Sequence, residues 1–354
     1  MDKTLTDRKK YILQLIINEY IKTGRPVSSN LICSEYNLNY SSATIRNEIA
    51  KLEKEGYLMQ PHISAGRIPT NLGYRYYVDF LTNIQKITKK EEKQIKKEFD
   101  SKINELDKIM QQTSKMLAMI SEFAGFSIAS NINESKIDYI QLSRIGDNTS
   151  RILFLVVTED NLVKHKIIDL DYEIDYVKII ELTEIFNDKF KGKNLSEFTK
   201  SAIDIVLEEQ KKAEKIIMFV KDLVKNLSNV IENNLYYLEE SHNFLNNIDF
   251  DDEVYQNLKK QEIIKTILDN NFLEKLSEKN DNLLKKDKTY DVKIYIGEME
   301  LNNLLKDCSL VTNTYKIGEK NIGVLGIIGP KRMNYDKMIG IVEFVSKLVN
   351  KLIK

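Results

Sequence analysis

The 354-residue chain carries 53 basic and 53 acidic side chains, so it has no whole-chain basic field and any nucleic-acid site must be local. Hydrophobic residues at 42% and charged residues at 30% are the proportions of an ordinary globular protein, and the length suggests two or three domains. No apolar run approaches a membrane span, and the opening MDKTLTDRKKYILQ lacks a signal-peptide core, so a cytoplasmic protein without membrane contact is expected.

From Leu5 to Lys22 the apolar residues Leu5, Ile12, Leu13, Leu15, Ile16, Ile17 and Ile21 fall mostly in steps of three and four, which predicts an amphipathic helix. Thr6 with Asp7 marks its start, and Gly24 with Pro26 its stop. VSSNLICSEYNLN reads as a short second helix, capped by Ser28 or Ser29, with Leu31, Ile32 and Tyr36 inward and a turn at Asn37-Leu38-Asn39.

A third helix starts at Ser41 or Ser42 and runs to about Glu55. Ile45, Ile49 and Leu52 form one inward stripe, while Ala43, Arg46, Asn47, Ala50, Lys51 and Lys54 point away and Thr44 sits at the edge. Gly56 stops it. YLMQPHI then predicts a strand, SAGR a hairpin turn, IPT the return, and Thr70 caps a helix over NLGYRYYVDFL.

Three helices followed by a β-hairpin is the order of a winged helix-turn-helix. Such a unit places its third helix in a DNA major groove and its wing over the backbone or minor groove. Arg46 suits guanine edges or phosphate, and Asn47 suits adenine edges. Ser41 and Ser42, at a helix N-terminus, can hydrogen-bond phosphate alongside backbone amides. Lys51 adds an outward cation, and Arg67 at the turn is placed to reach phosphates or a narrow groove. Charge alone supports this only weakly: through residue 85 there are eleven basic against eight acidic residues. A solvated polar face, or a protein–protein module of the same build, is the competing interpretation.

Residues 86–123 predict a helical connector, one stiff element, with Ile95, Phe99, Ile103, Leu106, Met110, Leu117 and Ile120 recurring; KITKKEEKQIKKE is its solvated face. FSIAS, IDYIQLSRI, RILFLVVTED and LVKHKIIDL then read as strands of an antiparallel sheet, with GDN and EDN as turns. DYVKIIELTEIFNDKFKG returns to helix, and a long helix is expected from 199 to about 240 with a face running from Ile203 to Ile231. QEIIKTILDNNFLEKLSEK predicts another helix. DVKIYIGE, CSLVTNTYKIG and NIGVLGIIGP restore strands before a closing amphipathic helix, YDKMIGIVEFVSKLVNKLI. Strands on both sides of a helical block suggest one α/β domain with an insertion, and the 203–231 stripe is core or the mutual interface of a dimer.

Little points to catalysis. His62, His165 and His242 are scattered outside any metal-ligand spacing, so no metal is expected. Cys33 and Cys308 have no CxxC partners and read as buried thiols in a reducing compartment. No GxSxG elbow occurs, and KIGEKNIGVLGIIGPKR lacks both the phosphate-loop and the dinucleotide-loop pattern; an apolar strand explains it. No enzyme activity and no cofactor are expected.

Three stretches carry a family resemblance. Ser41 to Asn47 reads SSATIRN, and Gln60 to Thr70 reads QPHISAGRIPT; GYRYYVDFL continues into the connector, and LKDCSLVTNTYKIGEKNIGVLGIIGPKRMNYDKMIGIVEFVSKLV closes the chain. In these the chain resembles the HrcA family of heat-inducible transcription repressors, at both ends and at matching length. The match is looser between about 172 and 284, where Glu240 or Ser241 and Asp249 stand in a segment that usually carries a Gly and a Pro-Glu-Phe.

The resemblance implies an α+β multidomain chain. Residues 1–80 would be the winged-helix DNA-binding domain and 81–123 the connector; 124–171 with 285–354 a GAF-like domain, and 172–284 an inserted, largely helical dimerisation domain. It implies a homodimer binding double-stranded DNA at an inverted-repeat operator, the CIRCE element, with the GroEL chaperonin promoting the active repressor. Ser41, Ser42, Thr44, Arg46 and Asn47 become recognition-helix residues and Arg67 the wing. A small-molecule-responsive winged-helix regulator, with IIGPKRM lining a pocket, is the alternative; an enzyme built on the α/β domain is a more distant one.

Overall fold

The computed structural model describes residues 5–36, 40–63, 65–99, 105–129, 134–146, 148–209, 214–231, 235–240, 292–297, 308–317 and 321–353. The N-terminal unit holds α1 (Asp7–Thr23), α2 (Ser29–Glu35), α3 (Ser42–Lys54), β1 (Leu58–Met59) and β2 (Ile68–Pro69). Ile12, Leu13, Ile16 and Ile17 of α1 meet Ile32 of α2 and Ile45, Ile49 and Leu52 of α3 in its buried core. Gly24 ends α1 in the left-handed region at φ 66°, which glycine reaches without a Cβ penalty. The Ser28 Oγ caps α2 by accepting from the Leu31 N–H at 3.1 Å.

β1 and β2 pair antiparallel, and Val27, between α1 and α2, adds a bridge to Arg67. A Cβ on Gly66 would lie 2.5 Å from the Val27 carbonyl, so only glycine lets the hairpin approach that closely. Thr70 then caps α4 (Asn71–Tyr76), accepting from the Gly73 N–H at 3.1 Å, and the chain runs on through a π-helical turn, Tyr77–Leu81.

That turn is where the N-terminal unit meets the C-terminal body. The Tyr77 hydroxyl lies 2.9 Å from Asn18 Oδ1 and 3.3 Å from Asp336 Oδ2; the Asn83 N–H donates to Asp336 Oδ1 at 3.1 Å, and Arg75 donates to the Ile294 carbonyl at 2.7 Å. Burial, and then the Asp336 charge, push the Tyr77 phenol well above its usual range; burial likewise holds the Asp336 carboxyl above the usual aspartate range.

The expected single connector is two helices, α5 (Lys89–Phe99) and α6 (Leu106–Ser121). Glu105 between them has extended backbone, φ −85° and ψ 123°. α6 is a core element, burying Ile109, Met110, Met116 and Leu117 against the sheet that begins with β3 (Ala124–Ala129). Ser127 donates to the Met110 carbonyl at 2.6 Å, and Gly125 lies against the backbone of Ser114 and Ala118.

β4 (Ile137–Ile145), β5 (Asn148–Thr158) and β6 (Val163–Asp169) form a separate three-stranded antiparallel meander. The strands of 124–171 therefore lie in two sheets, Ala124–Ala129 in one and Ile137–Asp169 in the other. One face of the meander, with Ile140, Leu142, Ile152, Phe154 and Val156, is buried, and α7 (Tyr176–Phe190), α8 (Leu195–Glu209) and α9 (Glu214–Ile231) complete this unit. Phe154, Phe186, Phe190 and Phe198 cluster with ring centroids 4.9 to 6.1 Å apart. Within 172–284, the stretch expected as a largely helical insertion, α7, α8 and α9 are the described helices.

The single helix expected over 199–240 is also corrected. It divides into α8 and α9, and β7 (Leu235–Glu240) leaves the helical pattern to pair antiparallel with β3. Its Leu-Tyr-Tyr-Leu run suits a pleated strand, and β3 has an edge to fill. β8 (Lys293–Ile296), β9 (Cys308–Ile317) and β10 (Asn321–Pro330) complete a five-stranded sheet of order β7-β3-β10-β9-β8, and α10 (Tyr335–Leu352) packs on β9, β10 and α6. The helix expected over QEIIKTILDNNFLEKLSEK, with His242, Ser241 and Asp249, lies outside the described residues; Glu240 ends β7.

Candidate nucleic-acid interface

Helix α3 is built to stand on one face. Ile45, Ile49 and Leu52 are buried against α1, α2 and β1, while Ser41, Ser42, Ala43, Arg46, Asn47, Ala50, Lys51 and Lys54 are exposed. Glu48 lies on the inward side, three residues on from Ile45, and is 7% exposed. Sequence reasoning passed over it, although its register on the apolar stripe gives it away.

Ser41 is the N-cap. Its Oγ accepts from the Thr44 N–H at 3.1 Å and lies 2.9 Å from Thr44 Oγ1, so the two hydroxyls share the first turn of α3. Ser42 opens the helix beside them. The α3 amides at this end carry the positive end of the helix dipole, which suits a phosphate. One turn on, Arg46 and Asn47 project outward; among the described residues neither side chain enters a hydrogen bond or an ion pair. Two alanines, Ala43 and Ala50, keep this face slim, and an α-helix fits the roughly 12 Å major groove.

The remaining expected cations are held differently. Lys51 is exposed, yet its Nζ lies 3.0 Å from Glu48 Oε1. Arg67 is half-buried: Nε donates to Glu53 Oε2 at 2.9 Å and Nη1 to the Ala65 carbonyl at 3.4 Å. Its own backbone exchanges two hydrogen bonds with Val27, at 2.8 and 2.9 Å. The guanidinium expected to reach outward from the turn is here paired with an acid of α3.

The wing turn is closed by Gln60, whose Nε2 donates to the carbonyls of Ile63 at 2.8 Å and Ala65 at 3.0 Å. Neither Glu53 nor Gln60 was marked by the sequence. The spacing between Glu53 and Arg67 follows no helical or strand period, so only the folded hairpin reveals the pair. His62 is exposed on the same turn, and His165 is exposed on β6. Among the described residues, no group of three or more His, Cys, Asp or Glu gathers as a metal cage, and no helix is long and apolar enough to cross a membrane.

Residues 107–339 match the family model described as the HrcA protein C-terminal domain. A heat-inducible transcription repressor HrcA from Pelotomaculum thermopropionicum is 31% identical over 99% of this chain and 97% of its own length. The chain belongs to the HrcA family of heat-inducible transcription repressors. The namesakes from Ruminiclostridium cellulolyticum and Clostridium botulinum are each 33% identical, over 98% and 99% of this chain and 97% and 98% of their own. The matched segment runs from α6 into α10, and the full-length relatives extend the similarity over the N-terminal unit. A solved structure described as a hypothetical protein has the same fold, with a TM-score of 0.65 at 23% identity over 99% of both chains.

Proposed function

We propose that this repressor acts as a homodimer whose two N-terminal winged-helix units each read one half of an inverted-repeat operator, the CIRCE element, and so block transcription of chaperone operons. The observation that carries this reading is the exposed polar face of α3, with Arg46 and Asn47 outward above a hydroxyl-capped N-terminus and a hairpin beside it. In the proposed complex Ser41, Ser42 and Thr44 contact phosphate with the first amides of α3. Arg46 and Asn47 read base edges, Lys51 adds phosphate attraction, and Arg67 supports the wing.

The remainder divides by its sheets. We place the GAF-like domain in α6, β3, β7 to β10 and α10, and the inserted dimerisation domain in β4 to β6 with α7 to α9. The inserted unit leaves Tyr139, Ile167, Tyr176, Val177 and Ile180 exposed, a set of side chains suited to a second copy. A two-fold dimer matches a palindromic operator.

GroEL enters as a partner of a marginally stable chain. A repressor with a small folding free energy loses its active dimer when chaperonin is occupied by other clients, and regains it afterwards. Operator footprinting of the purified protein tests the reading. Protection of both halves of an inverted repeat, restored by GroEL after a heat pulse, supports it; equal protection of unrelated DNA, or recovery indifferent to GroEL, contradicts it.

A further inference from the structure

We propose that Arg67 and Glu53 are positioning residues for DNA recognition: their ion pair fixes the angle between the wing and the recognition helix, and the guanidinium does not serve as a phosphate contact. This rests on the DNA-binding reading above and adds to it the device that holds its two reading elements together.

The geometry is specific. Glu53 lies in the last turn of α3, one residue before the helix ends at Lys54, and Arg67 immediately precedes β2. The two side chains are about a quarter and a third exposed, at 24% and 32%, so the pair sits at the base of the wing rather than on its outer surface. Nε, the guanidinium nitrogen nearest the stem, makes the 2.9 Å bond to Glu53, while Nη1 turns back to the Ala65 carbonyl of its own turn. Both bonds stay within the winged-helix unit.

The backbone around Arg67 is equally committed. The two bonds with Val27 and the close packing of Gly66 on the Val27 carbonyl anchor this end of the hairpin to the segment between α1 and α2. Gln60 closes the other end. Between these anchors, among the described residues, the Arg67–Glu53 contact is a side-chain tie that spans from hairpin to α3. A planar guanidinium suits this role because its donors have fixed directions, which a lysine ammonium lacks.

The sign of one substitution separates the two roles. Glu53→Gln removes a negative charge beside a DNA surface. If Arg67 were a phosphate contact restrained by Glu53, that change would tighten binding. If the pair is a brace, it weakens binding.

The test is fluorescence anisotropy of the full-length protein on an inverted-repeat duplex over a salt series. We expect Glu53→Gln and Arg67→Ala to weaken operator binding about ten-fold each, and the double variant no more than either alone. The slope of log affinity against log salt stays at the wild-type value for Arg67→Ala. The exchanged pair, E53R with R67E, recovers much of the loss, and a thermal melt of each variant confirms the fold. Tighter binding by Glu53→Gln, or a slope reduced by about one unit in Arg67→Ala, overturns the proposal. Wild-type protein that does not prefer the inverted repeat refutes the DNA-binding reading instead, so the two failures are distinct.

Discussion

Helices α3 and α7 are both amphipathic, and both bury one apolar stripe. They differ in what they show to water. α3 hides Ile45, Ile49 and Leu52 and presents Arg46, Asn47, Lys51 and Lys54. α7 hides Ile179, Leu182, Phe186 and Phe190, and still presents Tyr176, Val177 and Ile180. A polar outward face that is slim and cationic fits a hydrated, charged duplex. An apolar outward face fits another protein surface. On the proposed function the contrast sets a reading end against an assembling middle, and each substitution below tests one side of it.

The largest effect is expected in the shared support. Leu52→Ala leaves a cavity under α3 and should cost about 2–5 kcal/mol, read as a lowered denaturant midpoint, with operator binding lost as the helix loses its seat. If binding survives that loss intact, the face does not depend on its core.

Val177→Asp places a charge in the exposed α7 set. It should shift the protein from dimer to monomer in sedimentation and leave the secondary structure unchanged. An undisturbed dimer would move the mutual interface elsewhere.

Arg46→Ala should weaken operator binding by about 1–3 kcal/mol and relax preference at one base position, seen by comparing single-base operator variants. A uniform loss across all sequences would make Arg46 a phosphate contact.

Ser41→Ala removes the N-cap of α3 and should cost about 1 kcal/mol in thermal stability, with a smaller loss of affinity from the first turn.

The smallest effect concerns the joint between the units. Asp336 has a carboxyl raised by burial, so it binds its proton more tightly folded than unfolded. Its stabilising contribution is full below the unfolded aspartate range and is lost as pH rises through the raised folded value. Asp336→Asn should flatten that slope in denaturant midpoints measured from acid to neutral pH; an unchanged slope would show that the Tyr77–Asp336 contact does not report folding.

The N-terminal unit was the more legible in sequence. Its helices carry clean stripes, Thr70 announces its cap, serine pairs place the Ser28 and Ser41 caps to within one residue, and Gly24 and Gly56 mark the stops. The exposed set on α3 follows from rotation about a helix axis alone. What the sequence concealed was pairing across distance. β3 finds its neighbours in β7 and β10, far along the chain, and nothing local in Ala124–Ala129 separates it from β4. Leu235–Glu240 continued a helical apolar rhythm closely enough to read as helix until its partner strand was known. The Arg67 side chain was legible as a cation but not as one already paired, because Glu53 meets it only through the fold of the hairpin.

The central claim is that the outward face of α3 reads duplex sequence. The direct measurement is the affinity of full-length protein for an inverted-repeat duplex against a shuffled duplex of equal composition, at fixed salt, with wild type beside the Arg46→Ala and Asn47→Ala variants. The account predicts a wild-type preference of about a thousand-fold or more for the repeat, sharply reduced in both variants. Equal affinity for the two duplexes, or a preference untouched by either substitution, would contradict it.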